Sequence, residues 1–320
     1  MALVRRASEL RKFCRMSTVA VIGGGLMGHG IALTFARAGH MVWITDPSAE
    51  ALASVPERVS ESMALLGAEV PEIKASLERL HLSQSVGAAV TRADFVFEAA
   101  PEKLELKREI FSEIEAQAPE GAILASNTSV IPITRIMEHL PSRRRALGTH
   151  WWNPPHMIPL VEIVKTEWTD DRVAQSMFDL LTGARKTPVM VEKDVPGFIG
   201  NRLQHALWRE AISLVENGIC SAKGVDDVVK ASFGRRLAVL GPLENADLVG
   251  LELTQDIHAQ VLFDLENSPD PSPYLQQMRD QGRDGMASGA GLREWQPGDL
   301  EATKARIAEH LRRLEEILPE

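Results

Sequence analysis

The stretch Thr18-Val19-Ala20-Val21-Ile22-Gly23-Gly24-Gly25-Leu26-Met27-Gly28, followed by Met41-Val42-Trp43-Ile44-Thr45-Asp46, decides the fold. Residues 18–22 form an apolar run with no polar face, as a strand covered on both sides requires. Gly23, Gly25 and Gly28 then stand as G-x-G-x-x-G, and Ile31, Phe35 and Ala38 follow at helical spacing before Gly39. A second strand ends in Asp46, about twenty residues beyond the glycines. The first glycine permits a tight turn, the second lets a phosphate approach the backbone, and the third lets helix and strand pack closely. Free N–H groups at the helix start, through Leu26 and Met27, are expected to meet the phosphates. Asp46 is expected to accept hydrogen bonds from an adenosine ribose. A 2′-phosphate would be repelled there, and no arginine follows in Pro47–Leu52, so NAD is expected rather than NADP.

Outward from this core, 95–100, 122–127, 145–151 and 160–165 read as further strands, with helical periodicity between several of them. Strands alternating with helices predict a Rossmann-type, doubly wound α/β domain with a mostly parallel sheet. The pattern changes at Val195-Pro196-Gly197, after which helices are expected over roughly 197–217, 222–231, 242–265 and 299–317. Ser268–Pro273 reads as a rigid linker and 282–291 as a glycine-rich loop. The expected organisation is an extension over 1–16, an NAD-binding domain over 17–195, and an all-helical C-terminal domain over 196–320 for substrate and dimerisation.

Composition narrows the function. The net charge of −9 argues against nucleic acid or an anionic membrane as partner. Cys14 and Cys220 stand alone without a CxxC, so neither a disulfide framework nor a metal site is expected, and a reducing cytoplasm is the default. No apolar run is long enough to span a bilayer. The basic first fifteen residues admit two readings, a short targeting segment or an upstream start ahead of Met16.

Four polar residues remain: Ser129, His150, Glu162 and Asn201. A histidine oriented by a buried carboxylate makes a competent base for an alcohol proton, because the carboxylate fixes its tautomer and stabilises the imidazolium that forms. Read from spacing alone, His150 and Glu162 fall on neighbouring strands, and a histidine there is also compatible with a purely structural role.

The chain from about Val19 to Leu265 resembles the 3-hydroxyacyl-CoA dehydrogenase family. Five motifs carry the likeness, in order: Ser126-Asn127-Thr128-Ser129, His150 through Pro154, Glu162, Pro196 through Arg202, and Gly241-Pro242-Leu243-Glu244. The resemblance implies His150 as base, Glu162 as its partner, and Ser129 and Asn201 as substrate positioners. It implies that Glu102, Lys107, Ser129 and Asn153 lie along the NAD, and that the protein is a homodimer through the helical domain.

Two departures bear on the substrate. Members that handle CoA thioesters carry a lysine-rich helix pair after the second strand, whereas Pro47–Ile73 here holds Arg58 against Glu50, Glu57, Glu61, Glu69 and Glu72. The family's late lysine motif finds only Ala287 through Arg293. The run His150 through Ile163 is similar to branches containing L-gulonate dehydrogenases and lambda-crystallins, and a pyridine-carboxylate dehydrogenase of vitamin B6 breakdown. That favours a free hydroxy acid over a 3-hydroxyacyl-CoA, with a crystallin-like structural role as the non-catalytic alternative. Trp151 and Trp152 are expected as flat walls of the substrate pocket. Gly25–Gly28 also resembles the β-hydroxyacid dehydrogenases, but those depend on a helical-domain lysine where this chain has Asn201.

Overall fold

The computed structural model describes residues 16–318, so both readings of the first fifteen residues lie outside the described part. Eight strands form one sheet: β1 (Thr18–Ile22), β2 (Met41–Thr45), β3 (Leu80–Ser83), β4 (Phe95–Glu98), β5 (Ile123–Ser126), β6 (Ala146–Trp151), β7 (Leu160–Val164) and β8 (Thr187–Val191). Their order is 3-2-1-4-5-6-7-8. All neighbouring pairs are parallel except β6 with β7. This is the doubly wound arrangement, in which the chain order reverses between β1 and β4 and leaves a crevice at their carboxyl ends.

The helices of this part are α1 (Leu26–Arg37), α2 (Ala49–Ala53), α3 (Val55–Leu65), α4 (Val70–Glu78), α5 (Val86–Val90), α6 (Leu104–Gln117), α7 (Ile133–Met137) and α8 (Asp171–Gly183). Strand alternation sorts β1 between two cores. Val19 and Val21 join Ile31, Phe35, Val42 and Phe97, while Ala20 and Ile22 join Phe111, Ile114, Leu124 and Ile136 on the other face. Burial on both faces explains why β1 reads as continuous apolar sequence.

Contacts divide the chain into two compact units. One runs through Asn201 and takes up the chain again from Ala308; the other is Arg202–Ile307. The later helices are α9 (Gly200–Glu216), α10 (Ala222–Ala231), α11 (Pro242–Val249), α12 (Leu251–Val261), α13 (Pro273–Asp280) and α14 (Asp299–Ile317). The helix expected over 242–265 is two, because Gly250 adopts φ 94 between them. The expected linker ends where Pro273 opens α13, with Ser272 capping its N-terminus. No helix among the described residues is long and apolar enough to cross a membrane.

Candidate active site

The glycine turn is shaped by close approach. Gly23 adopts φ 109, and a Cβ there would lie 2.7 Å from the Ala99 carbonyl oxygen. A Cβ on Gly28 would fall 1.7 Å from the Gly23 oxygen. Both positions therefore require glycine for the turn itself. Gly25 differs: nothing stands within 4 Å of where its Cβ would be. The start of α1 therefore lies open, with Gly25 and Leu26 exposed and the first-turn N–H groups free of side-chain caps. A bare backbone and open space at a helix N-terminus fit a dinucleotide pyrophosphate.

Asp46 sits beside this turn at the end of β2. Its Oδ2 accepts the Gly24 N–H at 2.7 Å and its Oδ1 accepts the Ser48 N–H at 2.8 Å. From the other side Arg58 on α3 donates to the carbonyls of Gly24, Gly25 and Ala51 and to Ser54 Oγ. Its guanidinium thus braces the glycine turn rather than facing solvent, a role hidden in the sequence because the partners are backbone atoms.

Glu102 holds the turn after β5. Its Oε1 accepts Thr128 Oγ1–H and the N–H groups of Ser129 (3.0 Å) and Val130 (3.1 Å). Burial opposes its charge, but these bonds and nearby Lys107 outweigh burial and hold its pKa below the usual carboxylate value. Ser129 itself is exposed, and its carbonyl accepts Asn201 Nδ2–H at 3.0 Å. These contacts bring Glu102, Ser129 and Asn201 together.

Lys107 is fully buried, its Nζ donating to Glu98 Oε1 at 2.7 Å and to the Ala100 carbonyl at 3.1 Å and lying 3.5 Å from Glu102 Oε2. Glu98 in turn accepts Ser126 Oγ–H at 2.6 Å and the Ala100 N–H at 2.7 Å. A buried charge needs a partner and satisfied bonds; here the pair ties β4, β5 and α6 together beneath the crevice.

His150 and Glu162 face each other as register partners across the antiparallel β6–β7 pair. His150 Nδ1 and Glu162 Oε2 are 2.7 Å apart, and both side chains are buried. Glu162 Oε1 accepts the N–H groups of Ile199 (2.8 Å) and Gly200 (3.0 Å). Burial again opposes the charge, and the bonds from His150, Gly200 and Ile199 override it, so the Glu162 pKa falls below its ordinary value. An ionised Glu162 accepts the Nδ1–H of His150 and leaves Nε2 as the acceptor.

The loop into α9 carries a feature the sequence did not disclose. Gly197 and Phe198 both adopt positive φ, 74 and 50. A left-handed phenylalanine is costly and persists only where its surroundings fix it. Here the Phe198 ring is buried, 5.5 Å from the His150 ring, and the turn it makes aims the next two N–H groups at Glu162.

The two tryptophans part ways. Trp152 stands beside His150, ring centroids 5.4 Å apart. Trp151 is instead a core residue, only 2% exposed and packed edge-on against Phe35 and Phe97. Adjacent residues of one strand point to opposite faces, so Trp151 faces the core on the side away from His150. Asn153 lies exposed on the β6–β7 loop. Lys186, which no motif in the sequence marks, holds that loop by donating to the carbonyls of Pro155 (2.6 Å) and Ile158 (3.0 Å). Among the described residues no cluster with metal-ligand character occurs.

Comparison with known proteins agrees with this geometry. Residues 18–195 match the 3-hydroxyacyl-CoA dehydrogenase NAD binding domain, and residues 197–295 match the 3-hydroxyacyl-CoA dehydrogenase C-terminal domain. The chain is 35% identical over 302 residues to 5-formyl-3-hydroxy-2-methylpyridine 4-carboxylate 5-dehydrogenase of Mesorhizobium japonicum, covering 92% of this chain and 95% of that protein. It is also 35% identical over 297 residues to human mitochondrial hydroxyacyl-coenzyme A dehydrogenase, covering 89% and 93%. A crystal structure of a 5-formyl-3-hydroxy-2-methylpyridine 4-carboxylic acid 5-dehydrogenase, described as an NAD+-dependent dismutase, superposes with a TM-score of 0.88. It has 33% sequence identity and covers 95% of this chain and 99% of that one.

Proposed function

This chain belongs to the 3-hydroxyacyl-CoA dehydrogenase family of NAD-dependent oxidoreductases, and from that premise we propose that it oxidises a hydroxyl group of a small carboxylate-bearing acid, with His150 as base. The buried His150–Glu162 pair carries the proposal. NAD, when bound, supplies the hydride acceptor. As the substrate carbon gives up its hydride, His150 Nε2 takes the hydroxyl proton, and the positive charge that develops on the imidazole is met by Glu162. Ser129 and Asn201, already joined by a hydrogen bond, position the substrate oxygen. Gly23, Gly25, Leu26, Met27 and Gly28 would hold the pyrophosphate, Asp46 the adenosine ribose, and Glu102 with its neighbour Lys107, Ser129 and Asn153 the remaining edge.

The free acid is favoured over an acyl-CoA by the surface of α2–α4. Glu50, Glu57, Glu61, Glu69 and Glu72 are all exposed there, against one exposed lysine, Lys74, and an Arg37 that pairs with Glu72. Arg58 is engaged with backbone carbonyls. Such a face repels a polyanionic CoA. The acyl-CoA reading keeps one support, since the human hydroxyacyl-coenzyme A dehydrogenase matches this chain at the same 35% identity as the pyridine-carboxylate enzyme. Steady-state rates separate the two. Turnover is expected with NAD and L-gulonate, or with the hydrate of the 5-formylpyridine carboxylate, whose geminal hydroxyl supplies the proton, and little is expected with NADH and acetoacetyl-CoA; the reverse order would overturn the substrate assignment.

We also assign the helical unit Arg202–Ile307, within the C-terminal part expected to dimerise, to a homodimer interface. No hydrophobic side chain of Arg202–Ile307 is buried, and Leu243, Leu248, Leu251 and Phe263 are each more than 65% exposed. A helical unit without an apolar interior cannot offset the entropy of its own folding. A second copy presenting the same face covers it by symmetry.

A further inference from the structure

Gly200 is the first residue of α9, and nothing about the helix requires glycine there. What forbids a side chain is Trp152. A Cβ at position 200 would lie 2.5 Å from Trp152 Cζ2 and 3.2 Å from its Cε2, with Glu162 Oε2 at 3.4 Å. The indole therefore occupies the volume that any other residue at 200 would fill. The same indole stands against His150, ring centroids 5.4 Å apart at an interplanar angle of 51°. It is held there by shape, because its Nε1 is shielded from solvent and has no hydrogen-bond partner among the described residues.

We propose that Trp152 and Gly200 are a matched pair that sets the width of the substrate pocket at His150. The missing side chain at 200 lets the indole lie back against the start of α9. In that position the indole narrows the site to a flat, compact substrate. A side chain at 200 pushes the indole toward His150 and closes the site; a smaller ring at 152 reopens it. This proposal deepens the free-acid reading and rests on it for the substrate class alone.

The unpartnered Nε1 makes Trp152→Phe an informative probe, since no protein hydrogen bond is lost with the indole nitrogen. Gly200→Ala is the matching probe. It adds only the Cβ, keeps the N–H that Glu162 accepts, and raises helix propensity. In Gly200→Ala, kcat/KM is expected to fall about 100-fold, the cost of misplacing groups by roughly an ångström, while the NADH dissociation constant holds within about twofold. In Gly200→Ala/Trp152→Phe, kcat/KM should return to within about tenfold of wild type, with the pH profile of His150-dependent turnover preserved.

Disturbance of Glu162 by the new methyl would not be rescued at position 152, so failure of the double variant overturns the pairing. A crystal structure of Gly200→Ala supplies the second measurement. The indole is expected to have moved toward His150, and an indole left in place also overturns the proposal. Pocket width is read from Trp152→Phe alone, where the ratio of kcat/KM for acetoacetyl-CoA to that for the free acid should rise at least about tenfold; an unchanged ratio removes Trp152 as the determinant. A wild-type preference for acetoacetyl-CoA would count against the free-acid reading, while the rescue still tests the pair on that substrate. If wild type turns over none of these substrates, the Gly200→Ala crystal structure decides the pairing by itself.

Discussion

The sheet-bearing unit and the helical unit Arg202–Ile307 solve the problem of burial in opposite ways. In the first, Val19, Val21, Phe35, Phe97 and Trp151 lie within a core closed on both faces of the sheet. In the second, amphipathic helices show their apolar residues to solvent, and no hydrophobic side chain is buried. A unit with its own core can hold buried polar groups such as His150, Glu162, Glu98 and Lys107 in fixed geometry. A unit without one depends on another surface for its stability. The proposal thus puts chemistry in the first unit and assembly in the second.

Three variants test that division. The largest effect is expected from Leu253→Asp with Ile257→Asp, one turn apart on α12 and both exposed. If a second copy covers them, two charges must enter an apolar interface at a cost on the order of 5 kcal/mol or more. Sedimentation should then give half the wild-type mass, with a lower Tm. A dimer of unchanged stability would break the comparison. Next comes Phe35→Ala in the sheet core, where the lost ring contacts with Phe97 and Trp151 should cost about 3–5 kcal/mol in urea unfolding. The oligomeric state should stay the same.

The smallest effect concerns His156, whose pKa is lowered from 6.5 to about 4 by burial first and by His29 and Lys186 after it. A histidine depressed in this way is neutral in the folded chain while the unfolded chain already binds a proton. Its contribution is complete above pH 6.5 and is lost as pH falls toward 4. His156→Gln should flatten the loss of unfolding free energy across that window, by on the order of 1–2 kcal/mol in urea unfolding. An unaltered slope would remove His156 from the account.

Much of the sheet unit was legible in its residues because its constraints are local. The continuous apolar β1, the glycine spacing and the terminal Asp46 each follow from a single strand–turn–helix unit. The pairing of His150 with Glu162 was readable as two polar residues on neighbouring strands, though their direct register needed the antiparallel β7. β3 and β8 escaped notice because they are edge strands, only partly buried, and Pro188 interrupts the pattern of β8. The separation of Trp151 from Trp152 was available in principle, since strand alternation puts 150 and 152 on one face and 151 on the other. Burial of Lys107 was not available, because its partner Glu98 lies on a strand whose inward acid has no periodic signature. Nor did any sequence cue reveal the left-handed Phe198 or the carbonyls that engage Arg58.

The central claim is that His150, held by Glu162, takes the substrate proton. His150→Ala measures it most directly, with turnover and NADH affinity determined on the same preparation. kcat is expected to fall about 10²–10⁴-fold with NADH affinity unchanged; turnover equal to wild type in that variant would contradict a proton-accepting role for His150.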